Sequence, residues 1–310
     1  MKFSGIFPPL VTPLTPERDI DFASLDRVVD NLIDGGMDGL FVLGSTAEMA
    51  YFTDAQRVAV VKAVVARNAG RLPILVGCMD LTQARVIEQA KQMLPLGIDG
   101  IVVTAPFYAL NSPAEIADHF RLVKAAVGEV PVFAYDIPVR IGGVKLAPEM
   151  LVQLGCEGVL AGVKDSSGND VAFRRLVMMN ADAGHPLACF TGHETLNEAM
   201  LLLGADGQVP GYANVDPHRY AALGRAAAAG DWAEARRLQD EICRGFEIVF
   251  VAQGRGGDNG GVGAFKVAMA ELGIIDCAVQ SAPMPEFDDA SVARIREIMA
   301  GVGLLEPAHV

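Results

Sequence analysis

Short apolar runs alternate along this chain with longer segments in which apolar residues recur at helical spacing. The runs are apolar throughout rather than at every second position, which is typical of strands that are buried on both faces of a parallel sheet. Each run ends in a turn before the next helical pattern begins. The pattern therefore predicts eight strands, at residues 6–11, 39–43, 73–78, 100–105, 130–135, 159–164, 188–191 and 207–211.

Three of the intervening helices have recognisable starts. Asp21, Thr53 and Ser112 each stand directly before a helical pattern, and Pro113 follows the serine. Side chains of this kind accept hydrogen bonds from first-turn amides, and proline is favoured at the first helical position. Eight strand-helix units in succession predict an α/β fold, a (β/α)8 TIM barrel, which we assign to residues 1–225.

The remainder of the chain shows helical patterns without further strands. They cover residues 231–251, 262–272 and 290–299, and predict a C-terminal helical extension over residues 226–310. The glycine-rich stretch 254–263 lacks the Gly-Lys-Ser/Thr ending of a phosphate-binding loop, so we interpret it as a connector.

Composition and charge narrow the choice of partners. The 25 basic and 38 acidic residues give a formal net charge of −13 without a basic cluster, so neither nucleic acid nor an anionic membrane is expected as a partner. Five scattered cysteines with no CxxC pair suit the reducing cytoplasm. No segment is long and apolar enough to span a membrane, and the histidines show no metal-ligand spacing.

In a barrel, chemistry is expected where the C-terminal ends of the strands meet. A lysine there suits nucleophilic attack on a ketone, hydroxyls suit proton relay, and an arginine or backbone amides suit a carboxylate. Each residue also has a structural alternative, such as an ion pair for the lysine or helix capping for the hydroxyls. The candidates at these ends are Ser45, Thr46, Tyr108, Tyr135, Arg140, Lys164, Gly192 and Val209.

Three motifs in this order resemble those of a known family. Gly44-Ser45-Thr46-Ala47-Glu48 resembles a Gly-x-Thr-Gly-Glu loop, Tyr135-Asp136-Ile137-Pro138 resembles a Tyr-Asn-x-Pro motif, and residues 162–168 resemble a lysine motif. The family is that of the pyruvate-dependent class I aldolases, which groups dihydrodipicolinate synthase with N-acetylneuraminate lyase. The resemblance covers essentially the full length and implies a (β/α)8 barrel with a helical tail that assembles as a homotetramer or homodimer. We expect no cofactor, and the histidine spacing disfavours a metal.

The resemblance also implies roles for individual residues. Lys164 would form an imine with the ketone of pyruvate or a 2-keto acid, Ser45 and Thr46 would hold the carboxylate, and Tyr135 would move protons. Tyr108 matches a second tyrosine that completes a relay from the neighbouring subunit. We expect Lys164, Tyr135, Ser45 and Tyr108 to be catalytic, and Thr46, Arg140, Gly192 and Val209 to bind substrate.

The second substrate is less defined. Arg140 aligns with an arginine that in the synthases helps to bind the carboxylate of aspartate semialdehyde, so we favour the synthase. Residues 5–9 and 39–44 look equally like aldolases of 2-keto-3-deoxy sugar acids, and the same imine supports dehydration. Ala47, Asp136 and Phe107 depart from the family pattern and argue for an unusual second substrate.

Two further classes remain as contrasts. One is a catalytically silent barrel that binds a keto acid, against which the presence of both Lys164 and Tyr135 argues. The other is a dinucleotide-dependent oxidoreductase, which is disfavoured because no Gly-x-Gly-x-x-Gly follows the first strand.

Overall fold

A computed structural model describes residues 3–306 of the chain. Eight strands alternate with helices, in the order that the apolar runs predict. The strands are β1 (Gly5–Ile6), β2 (Leu40–Val42), β3 (Ile74–Gly77), β4 (Gly100–Thr104), β5 (Val132–Asp136), β6 (Gly162–Asp165), β7 (Ala188–Thr191) and β8 (Gly207–Gln208).

The α-helices are α1 (Phe22–Asp34), α2 (Asp54–Asn68), α3 (Gln83–Met93), α4 (Pro113–Val127), α5 (Pro148–Cys156), α6 (Asp170–Asp182), α7 (Asn197–Leu203), α8 (Pro217–Ala228), α9 (Trp232–Phe246), α10 (Gly257–Glu271) and α11 (Asp289–Gly301). Within residues 3–306, no helix combines the length and the apolar character that crossing a bilayer requires.

The chain forms two compact units. Among the described residues, unit 1 consists of residues 3–5, Pro73–His193 and Ala199–Val209, and unit 2 consists of Ile6–Leu72, Glu194–Glu198 and residues 210–306. The division into a barrel of residues 1–225 and a helical extension of residues 226–310 stays a prediction, and the last four residues of that extension lie outside the described part.

A parallel sheet forms the centre of unit 1. Strands β3 to β8 pair in sequence order, each parallel to the next. Parallel neighbours need a crossover connection, which α3 to α6 supply between β3 and β7. Every residue of β3 to β7 is buried, so the continuous apolar runs correctly indicated strands that are covered on both faces.

The three predicted helix starts are confirmed. Asp21 caps α1 through its side chain, and Thr53 and Ser112 cap α2 and α4. The last two are reciprocal capping boxes, with Gln56 and Glu115 reaching back to the cap backbone. Such caps stabilise a helix by about 1 kcal/mol each, which explains why these sequence signals located the helix starts.

The connector predicted at residues 254–263 is wrong from Gly257 onward, because α10 begins at that residue. Glycine lowers helix stability by about 1 kcal/mol per interior position, so the sequence alone disfavoured a helix here. Tertiary packing nevertheless stabilises a helix at these residues. Gly263 is buried, and a Cβ on it would lie 2.4 Å from Gln280 Oε1. The missing side chain is what allows this turn of α10 to approach the segment around Gln280.

Candidate active site

Lys164 and Tyr135 lie side by side on the two central strands of unit 1. They are paired in register between β6 and β5, and both side chains are buried. The Lys164 Nζ lies 4.2 Å from the centroid of the Tyr135 ring. The structure therefore brings together an amine and a phenol, the pair of groups that imine chemistry with a tyrosine proton carrier requires.

Behind this pair lies a cluster of three charges, Asp136, Lys145 and Asp165. Strand β6 extends one residue beyond the predicted end at Lys164, and Asp165 pairs in register with Asp136. Because successive residues of a strand point to opposite faces, these carboxylates lie on the reverse face from Lys164 and Tyr135. Lys145 forms an ion pair with Asp136, and its Nζ lies 3.2 Å from Asp165 Oδ2.

The carboxylate of Asp136, which departs from the family pattern, thus has a cationic partner nearby. The charge that it introduces is turned away from the Tyr135 ring and meets Lys145, which follows nine residues later. Burial raises the pKa of Asp136 to about 6, the hydrogen bond from Lys145 acts against that rise, and the charge of Asp165 adds to it. Sequence reasoning missed Lys145; the usable signal was that a buried acidic residue in this motif needs a cation.

Gly192 and Val209 follow the neighbouring strands of unit 1. The backbone N–H of Gly192 donates to the Asp165 carbonyl at 2.6 Å, and a Cβ on Gly192 would lie 2.0 Å from Ser166 Oγ. Glycine is therefore needed for the close approach of these two turns. Val209 is buried, and its N–H donates to the Thr191 carbonyl at 2.8 Å. Their roles in substrate binding stay predictions.

Tyr108 and Arg140 are exposed, in the turns after β4 and β5. The Tyr108 side chain is 94% exposed, so within one chain it does not pack against Lys164. Its φ of 74° lies in the left-handed region, which aromatic residues seldom adopt and which occurs preferentially at functional sites. Arg140 ends a 3-10 helix, Pro138–Arg140. The catalytic role of Tyr108 and the binding role of Arg140 stay predictions.

Ser45 and Thr46 belong to unit 2, in the 3-10 helix Ser45–Ala47. Among residues 3–306 neither hydroxyl makes a hydrogen bond, so the alternative that they serve as helix caps gains no support. Ala47, which replaces the usual glycine, has no left-handed backbone, and the left-handed residue is instead Glu48 with φ 59°. The alanine is therefore accommodated without strain.

Glu48 anchors this loop through a buried ion pair with Lys266 of α10. Both side chains are fully shielded from solvent. The backbone N–H of Ser281 donates to Glu48 Oε2 at 2.6 Å, and Lys266 Nζ donates to the Val279 carbonyl at 2.9 Å. Burial lowers the pKa of Lys266, while Glu48 acts in the opposite direction. The pair fixes the end of the Ser45–Thr46 loop inside unit 2.

Lys266→Met is expected to lower the free energy of unfolding by about 3–5 kcal/mol, because it leaves a buried, uncompensated carboxylate at Glu48. Equilibrium denaturation in urea measures the loss. The exposed Lys62→Met on α2 is the matched control and should change stability by less than about 0.5 kcal/mol. Adding Glu48→Gln to Lys266→Met should recover part of the loss; equal stability of Lys266→Met and the control would contradict the assignment.

His193 and Glu194 have separate partners, one in each unit. In unit 1, His193 Nε2 lies 2.7 Å from Asp170 Oδ1. In unit 2, the Glu194 carboxylate accepts hydrogen bonds from the Gly211 N–H at 2.6 Å and the Tyr220 hydroxyl at 3.1 Å. Within the described range, no group of three or more His, Cys, Asp or Glu side chains is placed to hold a metal ion.

Comparison with known proteins identifies the family of this chain. The sequence model of the Dihydrodipicolinate synthetase family matches residues 2–300. The chain belongs to this family. A curated relative, 4-hydroxy-tetrahydrodipicolinate synthase from Sorangium cellulosum, is 31% identical over 302 residues, which cover 96% of each chain.

Solved structures of the family extend this agreement to the fold. Dihydrodipicolinate synthase from Bacteroides thetaiotaomicron superposes with a TM-score of 0.89 at 30% identity, covering 96% of this chain and 98% of that one. YagE from Escherichia coli K12, solved in complex with pyruvate, gives a TM-score of 0.90 at 25% identity, with 98% and 99% covered. The family resemblance predicted from three short motifs is confirmed, and the chain is a lyase of this family.

Proposed function

We propose that this family member is a Schiff-base lyase that joins pyruvate to aspartate semialdehyde, the reaction type of a 4-hydroxy-tetrahydrodipicolinate synthase. The observation that carries the proposal is the buried amine of Lys164 beside the Tyr135 ring, 4.2 Å from the ring centroid. Relatives named as this synthase and the pyruvate complex of YagE support the choice of substrates.

The chemistry begins with attack of the neutral Lys164 amine on the ketone carbon of pyruvate. The carbonyl oxygen leaves as water, and the nitrogen remains bound to carbon as a protonated imine. This imine withdraws electrons from the neighbouring methyl carbon, so that a C–H proton can depart and an enamine forms. The Tyr135 phenol is the carrier of the methyl proton, and hydroxyl and amide groups at Ser45 and Thr46 hold the carboxylate.

The second half of the reaction needs a carboxylate-bearing aldehyde. The enamine carbon attacks the aldehyde carbon, a C–C bond forms, the aldehyde oxygen takes up a proton, and the imine to Lys164 is restored. The amino group that aspartate semialdehyde brings then attacks the imine carbon, closes a ring and frees the Lys164 amine. Arg140, exposed after β5, is our candidate for binding the carboxylate of aspartate semialdehyde, since guanidinium groups pair with carboxylates in bidentate geometry. The proposal predicts a preference for aspartate semialdehyde over neutral aldehydes.

Borohydride reduction in the presence of pyruvate tests the Schiff base. Intact mass and peptide mapping should show one pyruvate-derived adduct, located on Lys164. Turnover with aspartate semialdehyde and with glyceraldehyde then distinguishes the synthase from an aldolase of 2-keto-3-deoxy sugar acids. Absence of an adduct, or an adduct on another lysine, would overturn the mechanism and favour a keto-acid-binding barrel; an adduct with turnover of glyceraldehyde alone would correct the substrate.

Tyr108 is proposed to act across a subunit interface, in a homotetramer or homodimer. Tyr108→Phe and Lys164→Ala should each be inactive or nearly so, whereas mixing the two after subunit exchange should restore about a quarter of the wild-type activity, because half of random dimers carry one complete site. The recovery is measured as the turnover rate of the two mixed variants after subunit exchange. Recovery should be absent when either variant is mixed with itself, and failure of the mixed sample to recover would place Tyr108 outside the neighbouring site.

A further inference from the structure

The reverse face of strands β5 and β6 carries a charge cluster formed by Asp136, Asp165 and Lys145. The two carboxylates come from residues that are neighbours in register, and neither is more than 5% exposed. Like charges held this close in a buried site repel each other and lose hydration. The cluster therefore depends on a cation, and Lys145 supplies one to both carboxylates.

The turn after β5 reverses the chain, so that Lys145 lies next to the end of β5. Gly142 and Gly143 have φ values of 70° and 85°, which residues with a side chain rarely adopt. Beyond the turn, the Leu146 N–H donates to Asp136 Oδ1 at 3.2 Å, next to the ion pair of Lys145 with the same carboxylate. Asp136 is thus held by a backbone amide and an ammonium group from one short segment.

Asp165 is held from its own side. Its Oδ1 accepts from the backbone N–H of Ser167 at 2.8 Å and from the Ser167 hydroxyl at 2.7 Å. The main chain completes the arrangement, since the Ser166 N–H donates to the Asp136 carbonyl at 2.9 Å. Side chains and backbone together lock the ends of β5 and β6 to each other.

Lys164 and Tyr135 are the next residues back along these two strands, on the opposite face. A displacement of Asp136 from Asp165 must therefore also move the peptide groups that carry the amine and the phenol. A shift of about 1 Å in reacting groups costs on the order of 10²-fold in rate. The ion pairs on one face of the sheet therefore affect the relative position of Lys164 and Tyr135 on the other face.

We propose that Lys145 is a positioning residue for the Lys164–Tyr135 pair, and that it does this by neutralising the Asp136 carboxylate beside Asp165, which Ser167 holds independently. The proposal rests on the proposed Schiff-base function. It also explains the departure from the family motif: the acidic side chain of Asp136 requires Lys145, whereas a neutral side chain at the same position does not. Lys145 and Asp136 should therefore be interdependent.

The test uses the full-length chain with Lys145→Met, Asp136→Asn, the double variant Lys145→Met/Asp136→Asn, and Lys145→Arg. The rate of pyruvate adduct formation under borohydride and the steady-state kcat and KM are measured for each. Lys145→Met should lower kcat and the trapping rate by about 10- to 100-fold with little change in KM for pyruvate. Asp136→Asn should lie within about threefold of wild type, the double variant should match it, and Lys145→Arg should retain most activity.

Circular dichroism and thermal unfolding show whether each variant is folded. If Lys145→Met does not fold, the comparison of the double variant with Asp136→Asn and the activity of Lys145→Arg still decide the question. The exposed Lys62→Met serves as control for loss of a lysine. A folded Lys145→Met with wild-type kcat, or a double variant as impaired as Lys145→Met, would overturn the proposal; absence of any adduct in wild type would instead reject the Schiff-base function.

Discussion

Lys164→Ala is expected to lower kcat by on the order of 10⁶-fold, the loss seen when the nucleophile of another covalent enzyme is removed. The reason is that no imine can form, so the remaining residues bind pyruvate without activating its methyl carbon. Borohydride trapping should fall to background in parallel. Activity is measured as condensation with aspartate semialdehyde, and trapping by intact mass after reduction with pyruvate present.

The control for Lys164→Ala is Lys91→Ala, which removes an exposed lysine from α3. It should keep both turnover and the adduct. Lys164→Arg is a second informative variant, because arginine keeps the positive charge but is not deprotonated in proteins and cannot serve as the nucleophile. Substantial turnover in Lys164→Arg would contradict a Schiff base and indicate that the lysine acts only as a fixed charge.

The strands were the most predictable part of the fold. The run at residues 188–191 coincides with β7, and the predicted run at residues 100–105 exceeds β4 by one residue. Buried parallel strands give this clear signal because both faces must be apolar. The first and last strands are only two residues long. The last lies within its predicted run, whereas the first shares only Ile6 with the run predicted at residues 6–11, since apolar character continues beyond the ladder. Gly257 shows the opposite failure, where packing produces a helix against local propensity.

The sequence predicted those site residues that lie at the ends of strands, but not the contacts that turns and distant segments bring to them. Lys164 and Tyr135 each end an apolar run, so the sequence predicted that they lie at the ends of strands. Their pairing in register follows because the two strands are parallel neighbours. The sequence did not predict the cluster of Asp136, Lys145 and Asp165, because the cluster depends on a glycine turn that folds back across the strand ends. The same holds for Glu48 and Lys266, which come together across more than two hundred positions of sequence; the nearby bond from Ser281 to Glu48 spans 233.

Tyr135→Phe is expected to lower kcat by about 10²- to 10⁴-fold while leaving adduct formation on Lys164 detectable. The substitution removes only the hydroxyl and keeps the ring that packs against the lysine, so the amine keeps its surroundings and can still attack pyruvate. What is lost is the carrier that moves the proton from the methyl carbon. Exchange of the pyruvate methyl protons with deuterated solvent, followed by NMR, should therefore slow by a factor similar to kcat.

This pairing of readouts separates a proton-transfer role from a purely structural one. Tyr51→Phe, at a tyrosine that is 43% exposed, should change neither exchange nor turnover. If Tyr135→Phe loses the adduct as completely as Lys164→Ala while remaining folded, the phenol is needed for imine formation itself, and the expectation that only the later proton transfer depends on it is wrong. If kcat and exchange both stay within about threefold of wild type, Tyr135 carries no proton, and the register pairing with Lys164 reflects packing alone.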